Sequence, residues 1–350
     1  MTIHKLLLHE GIGEIRAAAL DKAGRPLALF QDRLVERGKR LRWGEIRGGH
    51  IRKLSPHDGG AFIALEGGLE GFLPRRDITR LVQGAHGVWR VMAEARAGKL
   101  AKLAEADAET ETETEVSVLE KWRASLRSEA TLEFESPAAA ARIIDAAFQD
   151  ALCSIVPLAG GGRLQITPAL VAVDVDTIGR KDKGRASARA KAVGLVAAEE
   201  AARQAVLRGL GGAIVLDCIS PLSRRDGPEL KKRFVKTVKA VSDRRVDCLP
   251  PSPFGLMEAV LSWRWQPLQE AYFDRAGDAL PLAVLLDGLR QIEKAALANP
   301  ADRLCLALPD GAFKTFNAEK NMYETALMQR FGRRIMVQRS SREQIEVSNL

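Results

Sequence analysis

Two short apolar runs in this chain each end in an aspartate. Ala169-Leu-Val-Ala-Val173 runs into Asp174, and Ala213-Ile-Val-Leu216 runs into Asp217. A continuous apolar run of this length reads as a buried strand with the acid at its exit. In an α/β sheet, ligands and metals gather at the C-terminal ends of strands. Two carboxylates delivered there from neighbouring strands make a hard, oxygen-rich site suited to Mg²⁺, which keeps water and substrate phosphate oxygens in its remaining positions. A single strand-end aspartate more often caps the following turn or helix. Two strand–acid units joined by a helix and a basic loop favour the metal. Asp176 lies two residues beyond Asp174, so on a continuing strand both carboxylates share a face.

The basic loop follows closely. Arg180-Lys181-Asp-Lys183-Gly-Arg185, continuing to Arg189 and Lys191, carries six positive charges against one negative. Beside a phosphodiester-cutting site it would grip backbone phosphates without reading sequence; otherwise it is a solvated loop. After Asp217, residues 228–241 read as a helix with Leu230, Phe234, Val235, Val238 and Val241 on the buried face. Lys231, Lys232, Arg233, Lys236 and Lys239 lie on the wet one, a second candidate nucleic-acid rail. Trp263 and Trp265 close this region as packing residues.

Upstream, residues 12–20 and 26–32 flank Asp21-Lys-Ala-Gly24-Arg as a hairpin. Residues 44–103 read as short strands broken by glycine (44–52, 61–65, 71–73, 87–93), the pattern of a small antiparallel barrel of the OB type. One hairpin of that barrel carries Phe62 and Phe72 in neighbouring strands. They are either platforms for single-stranded bases, flanked by Arg47, Arg52, Lys53, Arg75, Arg76, Arg90 and Lys99, or part of the barrel core. Residues 104–116 are acidic and of low complexity, an exposed linker. Residues 118–127 and 137–152 read as helices. Gly160-Gly-Gly162 is a turn, not a phosphate-binding loop, because no Gly-Lys-Ser/Thr follows and no helix opens there. The last segment reads helix (282–297), strand (303–308), helix (318–331), strand (334–339), with no identifiable chemistry.

At 350 residues with 46% hydrophobic and 28% charged content, the chain holds two or three compact units of ordinary globular material. Its net charge of +8 favours a polyanionic partner, nucleic acid before membrane. Only 5% of residues are aromatic, so base stacking must rest on few positions. Cys153, Cys218, Cys248 and Cys305 are scattered, without a C-x-x-C pair, which argues against structural zinc and for a reducing compartment. The five histidines form no triad or metal spacing. The opening residues make too short an apolar run for a signal peptide or membrane span; the expected location is the cytoplasm.

The residue pattern resembles a known family. Gly161-Gly-Arg-Leu-Gln-Ile-Thr-Pro-Ala-Leu-Val-Ala-Val-Asp174-Val-Asp176-Thr, followed by Ala198-Glu-Glu-Ala-Ala-Arg203-Gln-Ala-Val-Leu-Arg208-Gly-Leu-Gly-Gly-Ala-Ile-Val-Leu-Asp217, is similar to the catalytic region of the bacterial ribonuclease E/G family. Phe254-Gly-Leu-Met-Glu258 resembles the family segment after the second catalytic strand, and an extra Ala213 departs from the Leu-Gly-Gly-Ile-Val signature. Residues 1–104 and 140–265 carry the resemblance, the tail more weakly. It implies an α/β, multidomain protein: an RNase H-like part (1–35 and 118–160) with an inserted S1-type OB barrel (36–104), an acidic linker (105–117), a DNase I-like catalytic domain (161–265) and a small α/β C-terminal domain (266–350). It implies an Mg²⁺-dependent endoribonuclease cutting single-stranded RNA, with Mn²⁺ as a substitute ion. Asp174 and Asp217 correspond to the metal-holding aspartates, and Phe62, Phe72 and Lys99 to positions that contact RNA. Where the family has Asn two residues after the first aspartate, Asp176 stands here, to orient the first ligand or add one. No Arg-Thr match to the family's 5′-monophosphate sensor is present, and the Cys-Pro-x-x-Cys zinc link of larger members is missing, so zinc is not expected and any homo-oligomer forms by another route. The rival expectation is an RNA-binding protein of the same fold with little cleavage; a phosphoesterase acting on something other than RNA is a third.

Overall fold

The computed structural model describes residues 1–75, 79–96, 98–106, 116–128, 132–167, 171–178, 185–223 and 225–350. Most of the acidic linker, and Arg76, Arg180, Lys181 and Lys183, lie outside these residues. Two compact units emerge. One comprises Met1–Leu8, Ala17–Phe30 and Leu41–Leu268; the other comprises His9–Arg16, Gln31–Arg40 and Gln269–Leu350.

Strands β1 (Lys5–Gly11), β2 (Glu14–Leu20) and β3 (Pro26–Arg33) open the chain. The expected hairpin between β2 and β3 forms because Asp21 Oδ1 accepts the backbone N–H groups of Ala23 and Arg25, both at 2.9 Å. Gly24 takes the positive φ of 78° that the turn needs. β1 is not visible as a strand in the sequence, because Lys-Leu-Leu-Leu-His lacks alternation.

Five strands then close a barrel: β4 (Ile46–Ser55), β5 (Gly60–Leu65), β6 (Leu69–Pro74), β7 (His86–Ala93) and β8 (Ala101–Ala106). Their order is β4-β5-β6-β8-β7, with β6 and β8 parallel and β4–β5, β4–β7, β5–β6 and β7–β8 antiparallel. Ile51, Ile63, Leu65, Leu73, Trp89, Val91 and Leu103 fill its interior. This is the OB-like arrangement that the glycine-punctuated strands foreshadow. β8 escapes sequence reading because Ala-Lys-Leu-Ala-Glu-Ala runs straight into the acidic stretch.

Next come α1 (Val118–Ser125), β9 (Phe134–Glu135) and α2 (Ala140–Leu152). β9 pairs parallel with β1, giving a four-stranded sheet in the order β3-β2-β1-β9. A six-stranded sheet follows, built from β10 (Ile155–Pro157), β11 (Arg163–Thr167), β12 (Val171–Asp176), α3 (Ala186–Leu207), β13 (Gly212–Asp217), α4 (Gly227–Val241), β14 (Val246–Cys248) and β15 (Leu256–Leu261). Its order is β10-β11-β12-β13-β15-β14, with β12 and β13 parallel and joined through α3. The barrel is held to this sheet by Glu94. Its carboxylate accepts the N–H groups of Trp43 and Gln266, each at 3.2 Å, and its own N–H donates to Arg264 O at 2.8 Å. Trp43 and Trp265 meet edge to face at 4.9 Å, and the Arg264 guanidinium lies 4.2 Å over Trp43. Trp265 is therefore the packing residue its context suggests.

The short helix α5 (Leu268–Tyr272) leads to α6 (Pro281–Ala298), β16 (Leu304–Leu308), α7 (Asp310–Ala318), α8 (Lys320–Phe331), β17 (Ile335–Arg339) and β18 (Glu346–Asn349). The sheet order is β17-β16-β18. Leu285, Leu289, Ile292, Leu306, Leu308, Phe316, Tyr323 and Leu327 form the core of this second unit. α8 is the helix expected over 318–331; α7, which ends just before Glu319, is one the sequence reading does not anticipate. β18 is short and polar enough to pass for a tail. Among the described residues no helix is long and apolar enough to cross a membrane.

Candidate functional site

The parallel pairing of β12 with β13 sets Val173 beside Leu216. One step further along each strand come Asp174 and Asp217, the residues after the last β12–β13 pair, each still in register with its outer neighbour, Gln165 and Leu256. Alternation then decides where they point. Val171, Val173, Ile214, Leu216, Met257 and Ala259 are buried, while Gln165, Asp174, Asp217, Leu256 and Glu258 on the opposite face are exposed. Both aspartates therefore stand on an uncovered sheet surface, as the strand–acid pattern requires. Neither carboxylate has a hydrogen bond or ion pair with a described residue. Two like charges on neighbouring strands, which lie about 4.8 Å apart, repel one another, and a divalent cation is their natural complement. Glu258 sits on the same face opposite Val215, one diagonal step from Asp217. Among the described residues no group of three His, Cys, Asp or Glu side chains is placed to hold a metal. Two protein oxygens, with water and phosphate completing the shell, is the Mg²⁺ pattern.

β12 does run on through Asp176, which shares the face of Asp174. Its surroundings differ. Arg163, its register partner on β11, donates Nε to Asp176 Oδ2 at 3.0 Å. The other oxygen accepts the Ile178 N–H at 2.8 Å. Asp176 is thus a charge with a partner, whereas Asp174 and Asp217 have none among the described residues.

The scaffold behind the pair explains the signature between them. Ala190, Ala197, Ala198, Ala201, Ala202 and Ala205 give α3 a small-residue buried side. At Gly194 a Cβ would press to 2.9 Å against a methyl of Leu230 on α4, so a larger residue there would make that side chain shift. Arg203 binds Glu200 and the Pro26 carbonyl, anchoring α3 to the β3 strand. Gly209, at φ 67°, ends the helix. Gly211 and Gly212 pass under the Trp263 ring, where any Cβ would approach to 2.8 and 2.9 Å, and Gly212 also holds φ 76°. The Leu-Gly-Gly run is therefore a packing requirement that aims β13 at its exit. The Arg96 guanidinium lies 4.1 Å over the Trp263 ring.

The link from β14 to β15 borders Asp217. Gly255 O accepts the Cys218 N–H at 3.0 Å, and a Cβ on Gly255 would come 4.0 Å from Asp217 Oδ1. Burial, and then the Asp217 charge, pushes the Cys218 thiol up to about 12. It is no nucleophile at neutral pH.

On the barrel, Phe62 and Phe72 are register partners, half-buried and in edge-to-face contact at 5.4 Å. They lie outside the interior cluster, on the surface face of β5 and β6, which settles the core alternative against itself. Lys53 pairs with Phe62 and Lys102 with Phe72. A transverse row Lys53–Phe62–Phe72–Lys102 therefore crosses the barrel surface, both lysines exposed. Gly60 makes room for it, since a Cβ there would meet the Phe72 ring at 2.7 Å. Lys102 is invisible to sequence reasoning because its strand is. Arg52 sits 5.9 Å over Phe62 while paired to Glu70, and Arg75 pairs with Glu105. Lys99 is exposed on a tight turn closed by mutual backbone bonds with Arg96. Arg185 is exposed immediately before α3.

Comparison with known proteins matches this arrangement to a family. A family model described as "Ribonuclease E/G family" matches residues 75–261, just over half of the chain. The chain belongs to the ribonuclease E/G family. It is 32% identical over 133 residues to ribonuclease E of Nostoc sp., covering 37% of this chain and 19% of that protein. It is 34% identical over 116 residues to ribonuclease E of Haemophilus influenzae, covering 33% of this chain and 12% of that one. The matched stretches thus span under a fifth of either relative's length. Asp174, Asp176, Asp217, Lys99 and the Phe254–Glu258 segment fall within the ribonuclease E/G match; Phe62 and Phe72 precede it.

Proposed function

We propose that this protein is an endoribonuclease that hydrolyses phosphodiester bonds in single-stranded RNA. The observation that carries this is the pair of carboxylates, Asp174 and Asp217, without partners among the described residues, at the ends of adjacent strands on an open sheet face of a ribonuclease E/G chain. In this reading the two aspartates hold Mg²⁺, with Mn²⁺ as a substitute. When bound there, the ion supplies positive charge that polarises the scissile phosphate and acidifies an attacking water. Phe62 and Phe72 stack bases on the barrel, which is read as S1-type, and Lys53 and Lys102 take the flanking phosphates. Lys99, Arg180, Lys181, Lys183 and Arg185 hold backbone without reading sequence. Asp176, paired with Arg163, keeps the end of β12 ordered beside Asp174. The six-stranded sheet with α3 and α4 is read as DNase I-like and the four-stranded sheet as RNase H-like. The free cysteines suit a reducing cytoplasm.

The test is cleavage of a fluorescent A/U-rich single-stranded RNA with Mg²⁺ or chelator, by wild type and Asp217→Asn, with filter binding on the same samples. Metal-dependent cutting by wild type, and binding without cutting by the variant, is the expected result. Equal binding with no cutting by either protein would refute the nuclease assignment in favour of an RNA-binding role. Equal cutting of small phosphodiesters would refute the choice of substrate.

A further inference from the structure

Phe254 is 89% exposed, far more than either barrel phenylalanine, and it immediately precedes Gly255, where a Cβ would lie 4.0 Å from Asp217 Oδ1. A phenylalanine in water forgoes the burial that usually fixes its place. Nothing in its loop lets it fold back. Pro250, Pro251 and Pro253 lock three φ angles in the six residues before Gly255. The tip is closed by Gly255 N–H to Ser252 O at 2.9 Å, Ser252 N–H to Leu256 O at 2.9 Å, and Phe254 N–H to Ser252 Oγ at 3.3 Å. Gly255 adopts φ 88°, which lets its carbonyl reach Cys218 N–H, one residue past Asp217. Leu256 is the register partner of Asp217 itself. A rigid turn, tied to the residue after one carboxylate, thus holds an aromatic ring out into solvent at the strand exits. Ile178, 77% exposed two residues beyond Asp176, is a second apolar side chain at the same end of the sheet.

A phosphodiester has a nucleoside on either side, and a phosphate brought to Asp174 and Asp217 carries at least one base to this rim. An exposed, pre-oriented ring is what a single-stranded base stacks on, and such stacking tolerates any sequence because every base has a π face. We infer that Phe254 is a stacking residue for a base of the RNA flanking the scissile phosphate, fixing the register of the strand over the two aspartates. This rests on the single-stranded RNA reading above and adds to it a contact inside the catalytic sheet, separate from the barrel row. Phe254 acts by positioning and takes no part in bond making or breaking.

The experiment couples one ring to one base. Wild type, Phe254→Ala and Phe254→Tyr are compared for binding, by fluorescence anisotropy in chelator, to a labelled single-stranded RNA decamer. A set of the same decamer with one abasic nucleotide moved along it is bound in parallel, and cleavage of the same set is followed in Mg²⁺. Removing the base at one position next to the cut should weaken wild-type binding roughly five- to a hundredfold, the range of one base–aromatic stack. Phe254→Ala should lose the same factor with the intact decamer and nothing more with that abasic one, while Phe254→Tyr restores the wild-type pattern. In cleavage the loss should fall in KM, with the cut site spreading to neighbouring bonds. If Phe254→Ala binds and cuts like wild type, or weakens every abasic decamer by a further equal factor, the stacking role is overturned while metal-dependent cutting leaves the nuclease reading standing. A changed oligomeric state with unchanged RNA coupling would also overturn it, marking Phe254 as a contact to a second copy. Coupling without cutting would sustain the stacking role and refute the nuclease.

Discussion

Replacing Asp217 with Asn should stabilise the protein while destroying its activity. Asp174 and Asp217 are exposed, on adjacent strands, and without counter-charges among the described residues. Taking about 5 Å between the carboxylates, Coulomb's law gives repulsion of about 0.8 kcal/mol at the dielectric of water and about twice that at half of it. Their exposure selects the lower end, about 1 kcal/mol at low salt. For a unit of this size that is about 2–4 °C in Tm. All five tryptophans fall in the unit that carries the pair, so tryptophan fluorescence follows its melting alone. In chelator at about 10 mM salt, Asp217→Asn should melt about 2–4 °C above wild type; at about 1 M salt, where the Debye length shrinks to about 3 Å, the gap should close. Mg²⁺ reverses the order. At tenfold over its dissociation constant it adds RT ln 11, about 1.4 kcal/mol, to wild type, and little to the variant. A variant less stable than wild type in chelator would mean that Asp217 has a structural partner. An equal gain from Mg²⁺ in both proteins would mean that the ion binds elsewhere. Either result refutes the reasoning.

Gly212→Ala should cost at least about 2 kcal/mol in urea unfolding, combining a positive φ with a Cβ driven to 2.9 Å from Trp263. Phe62→Ala and Phe72→Ala should each weaken RNA binding by about 1–3 kcal/mol with the melting curve little changed, since both rings face outward. Lys102→Gln should lower the slope of log K against log salt by about 1. Thiol labelling at pH 8 should modify exposed Cys153 quickly, and hardly touch Cys218 and Cys248, whose thiols burial pushes up to about 12 and about 11. A raised thiol pKa means less thiolate at that pH, so labelling of Cys218 should rise only in denaturant. A double-mutant cycle between Arg163 and Asp176 should return less than about 1 kcal/mol, the value of a partly exposed pair, and shrink with salt.

Much of the site is legible in the sequence because the residues that make it are local. An apolar run ending in an acid specifies both the strand and the exit, so the Asp174 and Asp217 pairing needs only the parallel connection through α3. The barrel hairpin is legible for the same reason: alternation between glycine turns places Phe62 opposite Phe72. What escapes is set by distant partners. Lys102 joins the aromatic row through a parallel pairing between β6 and β8 that no local pattern announces. Arg163 meets Asp176 through antiparallel register across β11 and β12. Two residues of identical type, Asp174 and Asp176, differ, among the described residues, in which of them has a cation opposite.

That separation bears on why the chain tolerates an aspartate where its family resemblance implies asparagine. A further uncompensated carboxylate beside Asp174, Asp217 and Glu258 would add repulsion to an already charged rim and oppose an approaching phosphate. Arg163 removes the problem at its source. Its guanidinium takes one Asp176 oxygen, the Ile178 N–H takes the other, and the pair presents no net charge. Asparagine could accept the Ile178 N–H with its one carbonyl oxygen, but it would leave Arg163 unpaired. The aspartate and the arginine therefore make sense together: the pair keeps the turn after β12 closed and leaves the negative charge of the face to Asp174, Asp217 and Glu258. Under the proposed reading, negative charge at the two strand-end aspartates, with a neutral neighbour, would recruit a divalent ion without building the closed cage that would shut the substrate out.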